Sequence, residues 1–317
     1  MRKWWLALLL LSSASLQARG YWCYDPYLAL WGEYGYQRRQ EGPEKTVVVN
    51  TDSGKKVLKT QDLTKRFGWG HAFRAGASTG TDLGELEAQY TYYLPWSDRQ
   101  TVYGNGSLSA PFQDPLFTFD YVNADSASAK YKSWLQGGEV NFWYHITPPR
   151  CDYFSFSWDF GLRFVYLREK FNLSFTREDD TSDYDITTKN LLYGPQLGAR
   201  FEMNPISSLT WTFQIKGAAF LNDAENQTYL GDDNNFFTLR DYTKKRWTTS
   251  FLLDGFGQIA YHWTPCFSIH FSYEGYIVTG LALAPDQLDF HTDNERILRE
   301  RGQIVVDGLY AGVTLSF

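Results

Sequence analysis

Beyond its first 20 positions this chain of 317 residues has no apolar run of the roughly 20 residues that a membrane-crossing helix needs, so a helical membrane protein is excluded. Methionine is nearly missing, at two residues, and the three cysteines form no Cys-x-x-Cys pair and no Cys/His cluster, which excludes the usual structural zinc site. No cofactor-binding motif and no complete calcium loop occurs; Glu178-Asp-Asp180 and Asp232-Asp-Asn-Asn235 read as solvated loop charge. Base is scarcer than acid: without Arg2 and Lys3, 28 basic residues face 36 acidic ones, a net charge near −8, so nucleic acid is not an expected partner. Aromatic residues are abundant instead, with 22 Tyr, 23 Phe and 12 Trp, although the mean hydropathy is negative. A wall of strands with only every second residue facing lipid reconciles the two.

Residues 1–18 read as a signal peptide. Arg2 and Lys3 supply the positive start, Trp4–Leu11 the apolar stretch, and Leu16-Gln-Ala18 a cleavage site. Residues 19–317 are then expected to form a single domain exported to the cell outer membrane. Cys23 follows Gly20-Tyr21-Trp22, a poor context for lipidation.

At the other end, Leu309, Ala311, Val313, Leu315 and Phe317 share one strand face, and Tyr310, Gly312, Thr314 and Ser316 the other. An apolar face closing on Phe317 resembles the C-terminal signal that outer-membrane barrels present to their assembly machinery. Leu309, Val313, Leu315 and Phe317 are its candidate residues, and that machinery is an expected partner.

Between the ends, tight turns at 78–82, 147–150, 204–207 and 264–265 alternate with long polar stretches at about 38–66, 95–131, 172–188, 223–246 and 281–302. The rhythm predicts ten strands, at roughly 27–37, 67–78, 83–94, 132–146, 151–170, 189–203, 208–222, 247–263, 266–280 and 304–317. An even number puts both termini and every short turn on one side. The expected fold is therefore all-β: a transmembrane antiparallel up-and-down barrel with short periplasmic turns and long extracellular loops. Arg99–Ser109 and Phe112–Val122 offer a further hairpin, which would make twelve strands.

Alternation assigns the faces. Leu209, Trp211, Phe213 and Ile215 alternate with Thr210, Thr212, Gln214 and Lys216, and Phe154, Phe156, Trp158, Phe160, Leu162 and Phe164 alternate with Ser155, Ser157, Asp159, Gly161 and Arg163. With the aromatic face in lipid, Glu33, Glu85, Glu87, Glu139, Asp159, Glu202, Asp254 and Glu274 point inward, together with Arg74, Arg163, Arg200 and Lys216. Eight acids against four bases predict a weakly cation-selective lumen if it is open. Ten strands lie close to the size at which side chains fill a barrel, so a filled interior with these charges paired is the alternative. His145, His262 and His270 fall on the same inner face.

Gly161-Leu-Arg163, Leu167–Phe175, Gly194–Arg200 and Phe271–Tyr276, with the early hairpin from Phe73-Arg-Ala-Gly76 to Tyr90–Tyr93, resemble the Legionella-type major outer membrane protein family, also found in chlamydia-like bacteria. The resemblance spans about 67–317 and implies a pore-forming or structural outer-membrane barrel. Cys23, Cys151 and Cys266 are all expected on the periplasmic side, where disulfides form, and an odd count leaves one free or paired with another chain. By the same resemblance, disulfide-linked envelope partners are an expectation.

Two further functions remain to be weighed. The long loops could act as a surface adhesin. Some ten-stranded barrels, the omptins, are surface proteases with paired acids and a histidine at the extracellular rim; here Asp183-Tyr-Asp185 and Asp289-Phe-His291 have suitable spacings. Short acidic triplets arise readily in acidic loops, so the expectation is a non-enzyme with no catalytic residues. Outer-membrane lipid is the expected surrounding. Lipopolysaccharide is a candidate contact of the loop 38–66, which carries eight basic residues and four acidic ones.

Overall fold

Strand follows strand because each stretch alternates in polarity and ends in residues suited to a turn. The computed structural model describes residues 28–317 except 41, 82–83, 113–120, 147–152, 233–237 and 292–297. Its strands are β1 (Ala29–Arg39), β2 (Thr46–Asn50), β3 (Lys56–Lys59), β4 (Trp69–Thr81), β5 (Gly84–Ser109) and β6 (Ala124–His145). They continue as β7 (Phe154–Arg177), β8 (Asp180–Ile206), β9 (Leu209–Asp232), β10 (Thr238–Thr264), β11 (Phe267–Leu281) and β12 (Gly302–Ser316). Two short helices, α1 (Thr60–Thr64) and α2 (Ala284–Gln287), lie in connections. The leader 1–18, Cys23, Cys151 and the turn 147–150 fall outside the described residues.

Ten strands, β1 and β4 to β12, form one antiparallel ring. β12 closes it on β1, from Ala29 opposite Ser316 to Arg39 opposite Val306, so no edge is left unpaired. The twelve-strand alternative is overturned, because Arg99–Ser109 is the outer end of β5 and not a new hairpin. The two strands outside the ring are the small β2–β3 hairpin in the β1–β4 connection, and β2 adds to the far end of β5.

The strands run well past the expected ends. Residues 172–188 and 223–246, expected as loops, are mostly strand and extend the wall upward on β7 to β10. Loop-like polarity misled there, because most of these polar residues occupy the outer, watered face, while Leu173, Phe175, Tyr184, Ile186 and Leu230 are buried on the inner face beside Ser182, Thr188, Asn226 and Thr228. On β7, Phe160 and Leu162 point outward with 63% and 64% of their surface exposed, while Asp159, just before them, is buried inside. The same holds around the ring for Leu197, Ile215, Phe251 and Phe271, all more than half exposed. Such an apolar girdle needs an apolar surrounding. From Phe154 to Tyr166 it is about 30 Å tall for a strand tilted by ~40°, close to a bilayer's hydrocarbon thickness.

Past Tyr166 the two faces exchange chemistry without changing parity. Leu167, Phe171, Leu173 and Phe175 are fully buried inside, whereas Arg168 and Lys170 are exposed outside. There the barrel interior holds a continuous apolar core. Wall residues Tyr131, Phe171, Tyr184 and Phe220 pack with Leu58, Leu63 and Phe67 of the β1–β4 connection and with Leu281, Leu283 and Leu288 at the β11–β12 connection.

Candidate functional site

Inward positions of the girdle-level strands hold all twelve charged residues named above. Glu33, Arg74, Glu87, Glu139, Asp159, Arg200, Lys216, Asp254 and Glu274 are buried, and Glu85, Arg163 and Glu202 are partly buried. Their ion pairs run across the ring. Arg74 on β4 binds Glu274 on β11, Lys216 on β9 binds Glu139 on β6, Arg163 on β7 reaches Asp254 on β10 at 2.8 Å, and Arg200 on β8 reaches Glu85 on β5 at 2.7 Å. Each joins strands three places apart in the ring, so the pairs are chords through the interior.

Around these chords the charges are densely satisfied. Arg74 also binds Glu33 at 3.1 Å, Glu33 meets His270 Nε2 at 2.9 Å, and the Arg74 guanidinium lies 4.1 Å from the centre of the Tyr310 ring. Glu139 accepts from Gln89 at 2.6 Å and Asn141 at 2.9 Å, beside Arg163 at 3.3 Å. Arg200 stacks 4.2 Å from the Trp143 ring. Asp159 differs: neither carboxylate oxygen has a hydrogen-bond partner among the described residues. Glycine at 198 leaves the space that this carboxylate fills, and a Cβ there would collide with it.

Below the chords a polar cavity of about 500 Å³ reaches toward the turn end, lined by Ala29, Thr81, His145, Glu202, Gln258 and Thr314 among others. Above them Tyr93, Tyr276 and Tyr310 form a roof, with the Tyr310 hydroxyl 3.5 Å from that of Tyr93. A pocket of about 30 Å³ lies at this level, room for a water or two.

Over the roof the β11–β12 connection crosses the interior and is pinned at several points. Asn190 on β8 donates to the Ala282 carbonyl at 2.9 Å and accepts from the Ala282 amide at 2.8 Å. Glu169 on β7, fully buried, accepts from the Ala284 amide at 2.9 Å and pairs with Arg39 of β1 at 2.6 Å. Lys45 from the β1–β4 connection donates to the carbonyls of Asp286 and Leu288 at 2.8 and 3.1 Å. Burial there, with Arg299 nearby, pushes the Lys45 amine down to about 8.

Sequence reading missed this plug, although a signal existed. In 167–175 the large apolar residues take the parity of Arg163, opposite to that of Phe160, Leu162 and Phe164.

The protease constellation is not assembled. Asp183 and Asp185 lie on the outer face of β8, where Asp185 accepts from Asn172 at 2.8 Å and Asp183 from Ser174. Asp289 and His291, themselves 2.9 Å apart, belong to the inner connection. Buried Tyr184 stands between, accepting from the Asp289 amide at 3.0 Å.

At the chain's end Leu309, Val313 and Phe317 are exposed on the outer wall, and Leu315 is half-buried. Cys266, in the β10–β11 turn, forms no disulfide among the described residues. In the loop 38–66, Arg38, Arg39, Lys45 and Lys59 are engaged with Asp307, Glu169, backbone carbonyls and Glu44 respectively.

No family model and no curated relative matches this sequence. Among solved structures, the outer membrane protease OmpT from Escherichia coli is similar over 92% of this chain and 96% of its own, with a TM-score of 0.54 and 10% identity. At that identity the likeness shows a shared fold alone. A major outer membrane protein from Thermus thermophilus (TM-score 0.35, 10% identity, 92% of this chain and 99% of that one) is more distant. So is the Pseudomonas putida toluene transporter TodX (0.37, 11%, 92% and 89%). The chain has an outer-membrane β-barrel fold.

Proposed function

We propose that this outer-membrane barrel is a structural surface protein whose lumen is closed at rest, with no catalytic role. The observation that carries this is the single apolar core that spans the extracellular half of the interior and takes in both the wall and the β11–β12 connection. Water and ions crossing it would lose hydration with nothing to replace it. The reading agrees with the structural branch of the resemblance to Legionella-type major outer membrane proteins. The separation of Asp183 and Asp185 from Asp289 and His291 by the barrel wall argues against proteolysis. Purified protein in planar lipid bilayers is expected to give no conductance steps. Steady wild-type conductance would overturn the proposal.

The excess of acids around the 500 Å³ cavity favours one second reading, a weakly cation-selective pore that opens when the plug leaves. Replacing 282–301 by a short Gly/Ser link should then produce cation-preferring steps. Steps that prefer anions would reject it.

A further inference from the structure

Just above the girdle, the outer wall of β6 to β8 carries bases placed against one another. Lys132 on β6 lies directly opposite Lys170 on β7, and Arg168 on β7 directly opposite Lys189 on β8. Like charges facing across a ladder destabilise a sheet unless something of opposite sign sits between them. The acids nearby do not serve all four. Lys189 has Glu225 at 2.9 Å and Lys170 has Asp185 only at 4.0 Å, while Lys132 and Arg168 have no carboxylate within ion-pair distance among the described residues. Both of the latter are held over the Trp134 ring, 4.5 and 5.5 Å from its centre. At a similar height on the opposite wall the outward base is neutralised, because Arg38 forms a two-bond pair with Asp307.

We infer that this patch binds the phosphorylated headgroup of an outer-leaflet lipid. Depth selects a lipid over a free anion. On β7 and β8, Arg168 and Lys189 are the first outward charges beyond the girdle on the end that carries the long connections, where headgroups of the outer leaflet lie. Beneath them Leu191 and, below Tyr166, Phe164 expose apolar surface along which acyl chains would run. The phosphate would sit between the facing bases and relieve their repulsion, and Trp134 would hold two cations in place without neutralising them.

The test is a titration of the detergent-solubilised barrel with three probes: a diphosphorylated acyl-disaccharide lipid, the same lipid with its phosphates removed, and inorganic phosphate. The phosphorylated lipid should bind far more tightly than either control. The triple variant Lys132→Gln, Arg168→Gln, Lys170→Gln should lose roughly fivefold per cation, on the order of a hundredfold in all. Its side chains are at the surface, and retention of the fold is checked by circular dichroism. The variant Arg38→Gln, on the opposite wall, should bind as wild type does. Equal binding of the phosphate-free lipid, unchanged affinity of the triple variant, or inorganic phosphate matching the lipid would each overturn the assignment.

Discussion

Within β7 the lower and upper halves of one strand make opposite choices. Below Tyr166 the outward residues are Trp158, Phe160, Leu162 and Phe164, and Asp159 and Arg163 point in; above it Arg168 and Lys170 point out, and Leu167, Phe171, Leu173 and Phe175 point in. Backbone, register and parity are continuous through the change. What differs is the medium outside. Where lipid surrounds the wall, apolar side chains gain nothing by hiding and the charges must be paired in the interior. Where water surrounds it, the hydrophobic effect turns the same strands into the shell of an ordinary packed core. The two halves are a membrane protein and a soluble protein built on one ladder.

The strongest challenge to that contrast is Phe171→Ala. In a packed core the truncation should cost about 3–5 kcal/mol, measured by denaturant unfolding of the bilayer-reconstituted protein. A cost near zero would mean the upper interior is not a core. Next comes the outer face. Leu162→Arg, near mid-girdle, should cost about 2–4 kcal/mol in the same assay, while Asn172→Arg above the girdle should be nearly neutral. Equal costs would erase the boundary at Tyr166.

The smallest effect concerns the plug's amine. Lys45 has a folded-state pKa of about 8 against an ordinary 10.5, so below pH 8 it is charged in both the folded and unfolded chains. Between these values only the folded chain has lost the proton, and stability therefore rises as pH climbs from about 8 to about 10.5. The gain should stay within about 1 kcal/mol because the amine is only partly shielded from water. Lys45→Met should flatten the pH dependence of the unfolding midpoint over that window. A slope identical to wild type would remove Lys45 as its source.

Much of the wall was legible because strand pairing is local and its pattern repeats every two residues. The turns and the alternation in Phe154–Phe164 and Leu209–Lys216 are enough to number ten strands and to orient them. The strand ends above the girdle were not legible, because Asn172, Ser174 and Asp185 read as loop when their buried neighbours Leu173, Phe175 and Tyr184 are ignored. Within the interior, sequence named the charges but not their partners. Arg74 and Glu274, or Arg163 and Asp254, are distant in sequence and meet only because the ring brings facing walls together.

Sequence alone determined the strands, their order and the face each side chain takes, since these follow from period-two alternation and turn chemistry, which operate over a few residues. Tertiary structure alone decided what fills the upper end of the tube. That depends on the β11–β12 connection being pinned by Asn190 and Glu169 inside the ring. Such contacts have no local signature, because the cost of bringing distant segments together is repaid only when the closed wall shuts water out around them.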